Sequence, residues 1–187
     1  RGAGKSPKPR DKHYSILEQA DLIYQFILEH DLKNLTVMGN SYGGAVSLLL
    51  AIRLWEQDRP RFSKLILIDS GGYNRKLPSH LKLLRMPILG WIAPNILPAK
   101  TSARMILKAA YYDKKQITEN QVEAYAGPIA AKGGRHALHQ TAKQVRIRLG
   151  VQQVVKQNSL LQRGQRVDVL HVPGAARDGC DDALDLI

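Results

Sequence analysis

The chain contains a single cysteine, Cys180, and no long uninterrupted run of apolar residues. One cysteine cannot close an internal disulfide, and it excludes a metal site built from several thiolates. The longest apolar region, Leu81 to Leu97, is interrupted by charged residues and prolines, so it does not predict a membrane-spanning helix. No N-terminal apolar run resembles a signal peptide, and we therefore expect a cytoplasmic protein.

Acidic residues are also scarce, because 16 Asp and Glu stand against 28 Lys and Arg, for a net charge of +12. The excess is local: residues 75–166 hold 17 basic and three acidic residues, whereas the rest of the chain holds 11 and 13. This distribution favours a basic insertion on a nearly neutral body over a general polyanion binder. No zinc-finger, RNA-recognition or helix-turn-helix pattern accompanies the charge, so we expect no nucleic-acid partner.

The most informative pattern is a serine flanked by glycines at the spacing G-x-S-x-G. A serine in a sharp turn between a strand and a helix has an exposed hydroxyl, and the helix N-terminus beside it favours developing negative charge. So tight a turn leaves no room for Cβ atoms on the neighbouring residues, which explains the glycines. The pattern and the glycine after it comprise Gly39, Asn40, Ser41, Tyr42, Gly43 and Gly44.

The residues around this turn have the periodicity that a strand–turn–helix unit requires. The preceding segment predicts a buried parallel strand with Leu35, Val37 and Met38. The following segment predicts a helix whose apolar face holds Val46, Leu49, Leu50 and Leu54. An earlier amphipathic helix is predicted, with one apolar face made of Ile16, Leu17, Ala20, Ile23, Tyr24, Ile27 and Leu28.

A second buried strand is predicted from Lys64 to Asp69. Helix, strand, helix and strand at these spacings predict an α/β fold, with a right-handed parallel sheet and flanking helices. Ligands of such sheets bind at the carboxyl ends of the strands, where both Ser41 and Asp69 fall.

The strand pattern stops between residues 73 and 165, where helices broken by prolines and by Gly133-Gly134 are predicted. We predict three regions: 1–74 as part of the α/β core, 75–165 as an inserted helical cap, and 166–187 as a return toward the core. The apolar segment Leu83–Ile92 either lines a substrate pocket or packs the cap on the body. His136 and His139 share a helix face, but no third ligand lies nearby, so no metal site is predicted.

Taken together, Gly39 to Gly44 and the segment Arg1-Gly-Ala-Gly-Lys-Ser6 resemble the α/β-hydrolase fold family. The resemblance runs from about Gly2 to Gln144, and it is to the cap-bearing serine hydrolases, including carbon–carbon bond hydrolases and carboxylesterases. It implies that Ser41 attacks a carbonyl carbon of an ester, a thioester or a C–C bond next to a carbonyl, without a cofactor. It also implies that the Tyr42 backbone N–H forms half of the oxyanion hole. Epoxide hydrolases and haloalkane dehalogenases of this fold have aspartate at the serine position, so neither activity is expected.

The resemblance leaves two positions open for the acid that orients the catalytic histidine. In the commoner arrangement a strand after the cap runs V-P, five apolar residues and then G-x-x-D. Here Val172-Pro173 and Gly179 have that spacing, which nominates Asp182. The rarer arrangement places the acid after the strand that follows the serine turn, which nominates Asp69.

The chain also departs from the family pattern. The five residues 174–178, Gly-Ala-Ala-Arg-Asp, cannot form a buried strand, because Arg177 and Asp178 would need burial. Their codons, read one base later, can encode an apolar strand, so we hypothesise a frameshift near Pro173 that the encoding DNA would reveal.

The family's catalytic histidine and the second oxyanion donor have no counterpart in the chain. We therefore expect a fragment that lacks N- and C-terminal parts of the fold and does not turn over by itself. The expected partner is a small carbonyl compound, acidic or lipid-like in view of the basic cap. The alternatives are a non-catalytic ligand-binding member of the fold, or a cap that associates with anionic membranes.

Overall fold

A computed structural model describes residues 1–68, 70, 96–144 and, for the backbone alone, 169–172. The chain divides into two compact units. The sheet unit comprises Ile16–Arg75 and Arg146–Ile187, and the helical unit comprises Arg1–Ser15 and Lys76–Val145. The boundaries 1–74, 75–165 and 166–187 stay predictions.

The sheet unit is built on three parallel strands in the order β1-β2-β3. In chain order its elements are helix α1 (Ile16–Glu29), strand β1 (Leu35–Asn40), helix α2 (Tyr42–Gln57), a 3₁₀ turn (Arg59–Arg61), strand β2 (Phe62–Ile68) and strand β3 (Val169–Val172). Asn40 pairs with Ile68, and Ile68 with Val172, so the three strands end at one edge. A parallel sheet with flanking helices confirms the predicted α/β fold class.

Helix α2 packs against β1 and β2, and α1 packs against α2. The predicted apolar face of α2 is confirmed, because Val46, Leu49, Leu50 and Leu54 are all buried. The prediction for β1 is wrong at Met38, which is 63% exposed. Side chains alternate along a strand, and Met38 lies on the face opposite Val37, which is buried in the core with α2.

The apolar face predicted for α1 is only partly right. Four of its residues are buried: Ile16, Ala20, Tyr24 and Ile27. The other three, Leu17, Ile23 and Leu28, are exposed. Apolar residues almost surround this helix, so its own periodicity does not determine which side contacts α2.

The side chain of Arg61 links the turn after α1 to the residues just before β2. The Arg61 guanidinium donates to the Asp58 carboxylate at 2.6 Å and to the Leu32 carbonyl at 2.9 Å. It also lies 2.8 Å from Asp31, whose backbone is in the left-handed region at φ 47°. Hydrogen bonds from Lys33 and Arg61 lower the pKa of the Asp31 carboxyl. These contacts join the segments from which β1 and β2 begin.

The helical unit contains helices α3 (Ala99–Ala110), α4 (Glu119–Ala130) and α5 (Gly134–Gln144), with a 3₁₀ turn at Lys114–Gln116. Thr118 and Gln121 form a capping box that starts α4. The helices are interrupted at the predicted Gly133-Gly134 pair, because Gly133 precedes α5 and has a φ of 79° that favours glycine, and Gly134 begins α5. The core between α3 and α4 consists of Ala103, Leu107, Val122, Ala126 and Ile129. In the part of the chain that the structure describes, no helix is both long and apolar enough to cross a bilayer.

The N-terminal segment belongs to the helical unit and not to the sheet unit. Tyr14 is fully buried there, and its hydroxyl donates to the Pro9 carbonyl at 2.6 Å. The His136 ring lies 2.7 Å from the Asp11 carbonyl oxygen, and Gln144 donates to the Lys12 carbonyl. Residues that are over a hundred positions apart thus join segment 1–15 to α5.

We expect Leu54→Ala to lower the free energy of unfolding by about 2–5 kcal/mol, because it opens a cavity at a fully buried position of the sheet unit. Leu17→Ala makes the same chemical change at a site that is 57% exposed, and should cost less than about 1 kcal/mol. Urea denaturation followed by circular dichroism measures both. Equal losses would contradict the core described above.

Candidate functional site

Ser41 is the single residue between the last residue of β1 and the first residue of α2. Its backbone has φ 50° and ψ −116°, which few residues other than glycine adopt, and its side chain is exposed. Such a conformation costs about 1–3 kcal/mol and persists only where the surrounding structure enforces it. Strained residues of this kind cluster at functional sites.

Three hydrogen bonds hold this conformation. The Ser41 N–H donates to the Ile68 carbonyl of β2 at 3.0 Å. The Ser41 carbonyl accepts from the N–H groups of Gly44 and Ala45, at 3.0 and 3.3 Å, which starts α2. The turn is therefore tied both to the neighbouring strand and to the helix that it opens.

Close packing explains two of the glycines in the turn. A Cβ atom on Gly39 would lie 2.3 Å from the Gly43 carbonyl oxygen and 2.4 Å from the Ser47 hydroxyl. A Cβ atom on Gly44 would lie 2.4 Å from the Ser70 hydroxyl, and Ser70 is itself buried. Both distances are far below ordinary contact, so no larger residue fits at either position without rearrangement.

Gly43 differs from the other two glycines. A Cβ atom there would meet no atom within 4 Å, so the steric reason given for the glycines from the sequence is wrong at this position. Asn40, the last residue of β1, has an exposed side chain. The steric constraint of the turn thus lies on Gly39 and Gly44.

Tyr42 begins α2, so its backbone N–H lies at the positive end of a 16-residue helix. No acidic residue occupies the first turn of this helix to oppose a developing negative charge. The phenol ring packs against the core of the sheet unit. Its burial, and to a smaller extent the charge of Glu18, raise the pKa of Tyr42 to about 12, so the phenol is neutral at pH 7.

The two predicted acids, Asp69 and Asp182, lie outside the described residues. Asp69 directly follows Ile68, whose carbonyl accepts the Ser41 N–H bond. Asp182 follows the last residue of β3, Val172, by ten positions. The segment Leu83–Ile92 also lies outside the described residues.

The histidines of the described residues do not form a metal cluster. Nowhere in residues 1–68, 70 and 96–144 do three or more His, Cys, Asp or Glu side chains come close enough to hold a metal ion. His136, one of the two histidines on α5, is engaged with the Asp11 carbonyl and meets the Tyr14 ring edge-on. Sequence reasoning did not anticipate this contact, because nothing in the local pattern links residues 11–14 to 136.

The two adjacent glycines allow a matched test of this geometry. We expect Gly44→Ala to lower the free energy of unfolding by about 1–3 kcal/mol, because the new methyl group collides with Ser70. Gly43→Ala adds the same methyl group in open space on the same helix, and should be neutral or stabilising by up to about 1 kcal/mol. Urea titration of both variants gives the comparison. If Gly43→Ala were the more damaging change, the packing described for this turn would be incorrect.

Comparison with known proteins finds relatives both by sequence and by structure. The uncharacterized hydrolase YugF of Bacillus subtilis is 29% identical over 133 residues, covering 67% of this chain and 45% of YugF. The chain thus spans less than half the length of this curated relative.

Three solved structures of hydrolases share the fold at low identity. An alpha/beta hydrolase fold protein from Burkholderia ambifaria matches with a TM-score of 0.67 at 18% identity, covering 92% of this chain and 70% of that one. The meta-cleavage product hydrolase CumD of Pseudomonas fluorescens matches with 0.65 at 16%, covering 92% and 58%. The haloalkane dehalogenase DatA of Agrobacterium tumefaciens matches with 0.64 at 18%, covering 92% and 59%.

The family assignment agrees with the topology of the sheet unit. The profile of the alpha/beta hydrolase fold matches residues 1–99, which is more than half of the chain and includes α1, β1, α2 and β2. The chain belongs to the alpha/beta hydrolase fold family.

Proposed function

We propose that the protein is a serine hydrolase whose nucleophile is Ser41, acting on an ester, a thioester or a C–C bond next to a carbonyl. The observation that carries the proposal is the strained backbone of an exposed serine between β1 and α2. A structural turn has no need of this conformation in a non-glycine residue. A nucleophile does, since the turn holds its hydroxyl clear of the sheet.

In this proposal the Ser41 hydroxyl loses its proton to a histidine as its oxygen attacks the carbonyl carbon. The carbonyl oxygen becomes an oxyanion and accepts a hydrogen bond from the Tyr42 N–H at the helix N-terminus. One donor of this kind contributes about 3–4 kcal/mol to transition-state stabilisation. The hydrogen bond from Ser41 to Ile68 and the close packing at Gly39 support this role, because they fix the donor and the nucleophile before substrate binds.

A carboxylate would hold that histidine in its reactive tautomer, and Asp182 and Asp69 are the two candidates. The V-P…G-x-x-D spacing favours Asp182. The hydrogen bond between Ser41 and Ile68 favours Asp69, because Ile68 immediately precedes it. Asp182 and Asp69 are therefore both candidates for the acid, and substitution of each one distinguishes them.

The substrate proposed is a small carbonyl compound with an acidic or lipid-like group. The support is electrostatic, since the described residues of the helical unit hold thirteen lysines and arginines and four acidic residues. A field of this sign attracts anionic compounds over a Debye length of about 8 Å at physiological salt. We also retain a cytoplasmic location as a prediction.

A fluorophosphonate probe tests the nucleophile directly in the full-length protein. We expect the wild type to be labelled, and Ser41→Ala to lose both labelling and esterase activity, because the substitution removes the proposed nucleophile. Ser63→Ala removes an exposed hydroxyl at the other end of β2 and should leave labelling unchanged. A folded wild-type protein that is not labelled would overturn the proposal and favour a ligand-binding member of the fold.

The acid is tested by two single substitutions, Asp69→Asn and Asp182→Asn, in the full-length protein. Asparagine keeps the size of the side chain but removes its charge, so at the true position kcat should fall by about 10⁴-fold. At the other position the change should stay within about tenfold. Steady-state kinetics with an activated ester measures both. Two small effects would mean that neither aspartate orients the histidine.

A further inference from the structure

Positive charge is concentrated in one of the two units. The described residues of the helical unit carry a net charge of +9, whereas those of the sheet unit carry five basic and six acidic residues, a net charge of −1. A field of one sign this strong attracts oppositely charged surfaces and increases association rates.

Ion pairs between α3 and α4 neutralise two basic residues of α3. Lys100 lies 2.8 Å from Glu123, and Arg104 lies 2.5 Å from Glu119. These contacts use both acidic residues of α4, and they raise the pKa of Lys100 and lower that of Glu123. Lys100 and Arg104 therefore offer little net charge to a partner.

The C-terminal part of α3 and the residues that follow it carry exposed charge and apolar surface together. Met105 and Lys108 are three residues apart on α3, and Tyr112 follows two residues after the helix ends at Ala110. Met105 and Lys108 are exposed, whereas Ala103 and Leu107 of the same helix are buried against α4. Met105 is 44% exposed and Tyr112 is 77% exposed.

Two more exposed lysines, Lys114 and Lys115, lie in the 3₁₀ turn that follows. We call the set Met105, Lys108, Tyr112, Lys114 and Lys115 the α3 ridge. Within the described residues, none of its three lysines has an ion pair. The acidic group beside it is Asp113, whose carboxylate accepts the Lys115 backbone N–H at 2.9 Å.

We propose that the α3 ridge docks on an anionic lipid surface. Its composition fits that partner: tyrosine prefers the interface between headgroups and acyl chains, methionine adds apolar contact, and lysines bind anionic headgroups through flexible stems. The exposed methionine and tyrosine beside the lysines favour a lipid surface over a nucleic acid, because they add contact with acyl chains that a phosphate backbone does not offer.

The test measures binding of the 187-residue chain to vesicles. One set contains phosphatidylcholine alone, and the other contains about one third phosphatidylglycerol, with binding followed by flotation at low and high salt. We expect binding to the anionic vesicles only, weakened by salt. Each basic residue near such a surface increases partitioning about fivefold, so Lys114→Gln/Lys115→Gln should reduce it by about 30-fold.

A matched control removes two lysines from the sheet unit. Lys33→Gln/Lys64→Gln makes the same change in net charge and should alter partitioning by less than about threefold. In a Trp55→Phe/Trp91→Phe background, Tyr112→Trp reports contact, since an indole that enters the interface shifts its emission to shorter wavelength. Met105→Ser/Tyr112→Ser should weaken binding at constant charge. Circular dichroism verifies the folding of each variant.

Several outcomes would overturn the proposal. These are no binding to anionic vesicles, equal binding to both vesicle types, or equal losses in the ridge and control variants. Binding to heparin through the same lysines without vesicle binding would indicate a soluble polyanion instead. None of these outcomes depends on Ser41, so failure here is distinguishable from failure of the hydrolase proposal.

Discussion

The hydrogen bond from the Ser41 N–H to the Ile68 carbonyl is the constraint on which the candidate site depends. This bond holds the strained residue Ser41 against strand β2. It can form because the pairing of β1 with β2 brings the Ser41 N–H close to the Ile68 carbonyl. The buried face of α2 then supplies the packing that offsets the strain. The packing is needed because the strain costs about 1–3 kcal/mol, whereas a single hydrogen bond contributes about 0.5–1.5 kcal/mol.

The parts of the structure that the sequence predicted are those determined by short-range patterns. The face of α2 and the strand–turn–helix order follow from side chains within sixteen residues of Ser41. Met38 and the outer residues of α1 were misjudged for a different reason. Apolar character indicates that a residue can be buried, whereas burial also requires another layer to cover that side of the strand or helix.

Long-range contacts account for what the sequence did not indicate at all. Segment 1–15 packs with α5 through the His136 and Gln144 contacts, although it precedes α1 directly along the chain. The prediction that Gly43 has no room for a Cβ atom was wrong for a related reason. The spacing G-x-S-x-G treats both flanking glycines alike, but only the surrounding atoms reveal that Ser47 and the Gly43 carbonyl crowd Gly39 while Gly43 faces open space.

The fold alone does not determine the reaction class, and the side chain at position 41 restricts the classes that are possible. A haloalkane dehalogenase and a meta-cleavage product hydrolase match this chain almost equally well, so backbone similarity does not distinguish their reactions. What differs between reaction classes is the residue that the turn holds clear of the sheet. A carboxylate there would attack a saturated carbon to form an alkyl ester, while a hydroxyl needs a proton acceptor and attacks a carbonyl. Because residue 41 is serine, the reaction that we propose is attack of a hydroxyl on a carbonyl carbon, and this proposal rests on the side chain and not on the backbone that the neighbours share.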